Sequence, residues 1–112
     1  MKSRIFSLLI FLSLATLVFC QTGETEVYNE FKKADKELNI VYNKLKNKLQ
    51  PLDKKALKVS QKDWLKFRDS NCNFISKENS EGGVIANKMK IDCLTQMTLE
   101  RVKELKELIL EF

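Results

Sequence analysis

Apolar residues recur along most of this chain at helical rather than strand spacing. Between Glu24 and Leu49 the positions Val27, Phe31, Ala34, Leu38, Val41, Leu45 and Leu49 follow one another at steps of three and four. That spacing puts them on one face of an amphipathic helix. Lys32, Lys33, Lys36, Lys44, Lys46 and Lys48 fall mainly on the other side. Pro51 stops this helix near Leu49, since proline cannot continue it and disfavours helical geometry at Gln50. With Asp53 as N-cap, a second helix is predicted from Lys54 to Ser76. Its apolar members are Leu57, Trp64, Phe67 and Phe74, interrupted by polar Ser60 and Asn71. A third helix is predicted from Val84 to Glu111 through Met89, Leu94, Met97, Val102, Leu105, Leu108 and Ile109. Glu100, Lys103, Glu104, Lys106 and Glu107 supply its solvated, ion-paired face. Only Glu78 to Gly83, ending in Gly82-Gly83, has the composition of a loop.

The N-terminus carries a different pattern. Lys2 and Arg4 precede a run from Ile5 to Phe19 that is apolar apart from Ser7, Ser13 and Thr16, and Gln21 to Glu24 then turn polar. A basic start, an apolar run and a polar exit read as an export signal over residues 1–20, leaving residues 21–112 as one domain. The run is short for a membrane span, which needs roughly 20 apolar residues. Val18 and Cys20 suit the −3 and −1 positions of ordinary cleavage, with Gln21 then first. Leu17-Val18-Phe19-Cys20 also reads as a distorted lipobox, with Phe19 in place of a small residue, so Cys20 is a candidate lipidation position. Either route places the domain outside the cytoplasm, periplasmic or secreted, with membrane attachment only through a lipidated Cys20.

Composition removes several classes of function. The formal charge of +5 comes from 20 basic and 15 acidic residues, and Lys2 and Arg4 leave with the signal. Such an interspersed surface is no nucleic-acid footprint. The absence of His excludes imidazole catalysis, His-ligated zinc and the Ser-His and Cys-His triads. With no Cys pair at ligand spacing and no calcium loop, no metal or cofactor is expected.

Cys72 and Cys93 stand at similar distances before and after the predicted loop, level with each other on two antiparallel helices. In an oxidising compartment two such cysteines pair. A redox-active role would need a partner thiol at CxxC spacing, which the sequence lacks. The predicted fold is therefore all-α: a small three-helix antiparallel bundle stapled by one disulfide between helices two and three.

Two polar clusters exceed what amphipathic helices require. One contains Asp35, Glu37, Asn39 and Tyr42; the other contains Gln61, Trp64, Arg68 and Asp69. Gln61, Trp64, Arg68 and Cys72 share a helix face. An Arg in a helix interface is costly unless a carboxylate meets it, and Asp35, Glu37 or Asp69 could supply one. This set is either a structural network that fixes helix register or a binding face anchored by Trp64 and Arg68. A glycosidase reading is disfavoured: Asp35 and Glu37, two residues apart, point to different sides of a helix and cannot flank one bond. Asp35 could pair with Asp63 or Asp69 across helices, but a three-helix domain of this size offers little concavity to hold a sugar.

At these residues a resemblance emerges. Ala34-Asp35-x-Glu37-Leu38-Asn39-x-x-Tyr42, Gln61-x-x-Trp64-Leu65-x-Phe67-Arg68-Asp69-x-x-Cys72, Gly82-Gly83, and Cys93-Leu94 followed by Thr98-x-x-Arg101 and Leu105 are similar to the LprI family of bacterial envelope proteins. The resemblance covers roughly Phe31 to Leu108. It implies an exported or lipid-anchored helical domain with a disulfide between the two matched cysteines. It also implies a lysozyme inhibitor with a protein partner and no catalytic residues of its own. An inhibitor must plug a sugar-binding cleft that carries two carboxyls, and Lys77, Lys88 and Lys90 near the loop are available for that. A second expectation is an envelope interaction module that binds another protein without affecting lysozyme.

Overall fold

The computed structural model describes the backbone of residues 2–78 and 83–112 and the side chains of residues 23–77 and 83–112. Gly82 and the side chain of Cys20 lie outside the described residues. Three helices follow in order: α1 (Lys2–Lys48), α2 (Pro51–Glu78) and α3 (Gly83–Glu111). Helix α1 begins well before the predicted Glu24, because no proline interrupts the chain before Pro51.

The punctuation between helices differs from expectation in detail. Helix α1 closes with a tight turn in which Leu49 N donates to Lys46 O at 3.2 Å. Pro51 opens α2 rather than merely preceding it, since a proline at the first helical position gives up an amide that would have no partner anyway. The Gln50 carbonyl accepts from Lys54 N at 2.9 Å, so Gln50 occupies the cap position predicted for Asp53. Asp53 instead lies inside the first turn, where its carboxylate meets the positive end of the helix dipole. Helix α3 starts at Gly83, whose φ of +74° is a left-handed conformation that glycine adopts without strain.

Cross-helix pairs set the directions. Arg68 meets both Asp35 and Thr98, and Gln61 meets Arg101, so α2 runs antiparallel to α1 and to α3. Lys48 Nζ donates to Ile109 O at 3.2 Å, and α1 and α3 run side by side in the same sense. Cys72 and Cys93 form a disulfide with their Cα atoms 5.5 Å apart, tying α2 to α3.

Helix α1 packs as its periodicity demands. Ala34, Leu38, Val41, Leu45 and Leu49 are buried, and most of them join Leu57, Val102 and Leu105 in one aliphatic core with Tyr42, Trp64, Leu108 and Ile109 against it. Helix α2 does not follow its predicted stripe. Phe67 and Phe74 are 59% and 62% exposed, whereas Gln61, Arg68, Cys72 and Ser76 are buried. Between Phe67 and Arg68, adjacent in the chain, the arginine goes inside and the phenylalanine outside.

Candidate functional site

Arg68 is the organising residue of the bundle's polar half. Its side chain is only 8% exposed, so its charge must be met within the fold. Nη1 donates to Thr98 Oγ1 at 3.1 Å and lies 3.5 Å from Asp35 Oδ1. Nε and Nη2 both reach Asp69 Oδ1, at 3.0 and 2.9 Å. One guanidinium thus joins all three helices. The ring faces of Phe31 and Trp64 lie 5.6 and 5.4 Å from its Cζ, close enough for cation–π attraction.

Arg101 repeats the arrangement one step along the bundle. Its Cζ lies 5.7 Å from the Trp64 ring. Nε donates to Gln61 Oε1 at 3.2 Å, Nη2 to Ser60 Oγ at 3.3 Å, and Nη1 pairs with Glu104 at 2.8 Å. Trp64 therefore stands between two guanidiniums from different helices. Every buried side-chain polar atom among the described residues has a partner.

Asp35 and Asp69, whose carboxylates reach Arg68, line an open groove of about 550 Å³ between α1 and α2. Asn39, Tyr42, Gln61 and Arg68 also line it, so six of the eight predicted polar residues border one surface. The other two go elsewhere: Trp64 turns toward the core and Arg101, and Glu37 pairs with Lys106 of α3 at 2.8 Å. Of the three carboxylates available to Arg68, then, Asp35 and Asp69 meet it and Glu37 does not. Thr98 and Arg101 belong to the network; they stood in the quoted Thr98-x-x-Arg101 motif but not in the candidate polar set. The signal for them was a polar residue and an arginine three apart, in register with the apolar stripe of α3.

The arrangement can hold a rigid shape and present surfaces. Among the described residues no group of acidic or cysteine side chains could hold a metal ion, and no helix is long and apolar enough to cross a membrane. A second cavity, of about 410 Å³, lies between α1 and the start of α3, with Val27, Val84 and Ile91 in its walls and Glu24, Glu26 and Glu30 on the α1 side. Of the lysines near the α2–α3 connection, Lys88 is engaged with Asp92 at 3.1 Å, Lys90 is half-buried and Lys77 is exposed.

Comparison with known proteins adds two findings. A family model described as lysozyme inhibitor LprI matches residues 21–105. An uncharacterised protein of Rhizobium meliloti (strain 1021) is 31% identical over 93 residues, which cover 71% of this chain and 66% of that relative. No solved structure matches.

Proposed function

The chain belongs to the lysozyme inhibitor LprI family, and from that premise we propose that it is an exported, non-catalytic domain that binds a muramidase and covers its substrate cleft. The observation that carries this reading is the extent of the match, from residue 21 to the fully buried Leu105. It spans all three helices and both cysteines of the staple. The physical form agrees. A disulfide-linked bundle with every described buried polar atom satisfied loses little conformational freedom on binding, and such pre-organisation favours tight occlusion.

The export signal over residues 1–20 belongs to the same reading. Mass spectrometry of the exported protein is expected to find Gln21 at the mature N-terminus or an acylated Cys20. An intact residue 1 would remove the export half of the proposal.

A turbidity assay with peptidoglycan-bearing cells and muramidases of several types tests the rest. Slowed lysis at micromolar excess of the protein is the expected outcome for at least one enzyme. With Lys2 and Arg4 removed along with the signal, 18 basic against 15 acidic residues leave the exported domain at +3. This favours one competing reading, because it would repel a basic lysozyme at long range: an envelope module that holds another protein and leaves lysozyme alone. Unchanged lysis with every enzyme, together with stable capture of a different envelope protein, would decide for that module.

A further inference from the structure

An exposed pair of phenylalanines is a more informative feature than any buried one. Phe67 and Phe74 are 59% and 62% exposed, while Arg68, Cys72 and Ser76 fill the interior beside them. Folding alone favours the opposite arrangement. The two rings stand seven residues apart on one helix face, two turns or about 10.5 Å along α2, and form a short apolar ridge. Ser70, between them on that face, turns its hydroxyl back to Phe67 O at 3.1 Å.

The ridge is rigid and convex. Cys72 lies between the two phenylalanines in sequence, is fully buried, and is bonded to Cys93 of α3, so α2 is fixed where the rings project. Lys66 and Lys77 flank them, both exposed and neither in an ion pair among the described residues.

A muramidase cleft is concave, carries two carboxyls and is lined by apolar and aromatic groups. A concave groove such as that between α1 and α2 cannot fill it; a protruding aromatic ridge bracketed by cations can. Resting on the reading above, we propose that the Phe67–Phe74 ridge is the part of this protein that enters the muramidase cleft. The two phenyl rings lie on its apolar walls, and Lys66 and Lys77 face its carboxyls.

The test uses the exported protein and a muramidase that it inhibits. Phe67→Ala and Phe74→Ala are each expected to raise the half-inhibitory concentration at least about tenfold, as interface aromatics do. Melting is expected to stay unchanged, because the rings are exposed. Lys66→Glu with Lys77→Glu weakens inhibition as well, whereas Leu52→Ala, at a still more exposed apolar position off the ridge, leaves it intact. Undiminished inhibition by both Phe variants would overturn the ridge and leave the inhibitor reading standing. If the wild type inhibits no muramidase, both fall. Sedimentation showing a wild-type dimer that Phe67→Ala splits into monomers would assign the ridge to a second copy of this chain, and so overturn the proposal too.

Discussion

Around Leu45 the three helices meet through Leu38, Val41, Leu49, Leu57, Val102 and Leu105, all carbon and closely packed. Around Arg68, farther along the same bundle, they meet through a guanidinium, a threonine hydroxyl, two aspartates, two aromatic faces and a disulfide. The first region gains its stability from apolar area removed from water, which is large and indifferent to direction. The second gains little net free energy from its hydrogen bonds, because water would have supplied equivalents. Its bonds are directional, however, and only one register of α1, α2 and α3 satisfies them together. The aliphatic end makes the bundle stable, and the polar end decides which residues face which.

Substitutions can break this contrast in order of expected effect. Leu45→Ala, at 1% exposure, opens a cavity in the aliphatic end and is expected to cost about 3–4 kcal/mol in a urea titration. Replacing Cys72 and Cys93 together by Ala releases a loop closed over 21 residues and is expected to cost about 3 kcal/mol in the same titration. Arg68→Ala comes next at about 2 kcal/mol, from a lost side chain and an orphaned Thr98. A larger loss for Arg68→Ala than for Leu45→Ala would reverse the division of labour drawn here.

Two further variants sharpen it. Arg68→Met keeps the bulk without the charge and is expected to lie within about 1 kcal/mol of wild type. Near-ultraviolet circular dichroism of Trp64, the single tryptophan of the chain, is expected to weaken because one of the two guanidiniums against its ring is gone. An unchanged Trp64 signal would deny the polar end its ordering role. The smallest effect belongs to Lys106→Ala, which removes the α3 partner of Glu37. Both side chains are about half exposed, so the expected loss is below about 0.5 kcal/mol.

The same contrast explains what was legible beforehand. The interior face of α1 was predicted closely, with Ala34, Leu38, Val41, Leu45 and Leu49 buried and Val27 and Phe31 half-buried, because seven apolar positions at unbroken spacing admit one rotation of the helix about its axis. The pairing of Cys72 with Cys93 was also predictable, since the loop position makes them level. Helix α2 was harder. Its candidate stripe mixed Leu57 and Trp64 with polar interruptions, so Phe67 and Phe74 looked interior when they are not. Asp35 and Asp69 were recognisable as partners for Arg68, but Glu37, equally close in sequence, was claimed by Lys106 from a helix that sequence spacing cannot position.

Three helices, their order, the break at Pro51, the glycine-marked break before α3, the staple and the family were all determined by the sequence on its own. These depend on local periodicity, on residues that stop helices, and on a motif readable in one dimension. For α2 the sequence offered two inward sides, the stripe with Phe67 and Phe74 and the face of Gln61, Trp64, Arg68 and Cys72, and only three dimensions decided for the second. A helix with no dominant apolar face is turned by its neighbours, and here the Cys72–Cys93 bond and the Arg68–Thr98 contact point α2 toward α3, leaving Phe67 and Phe74 in solvent.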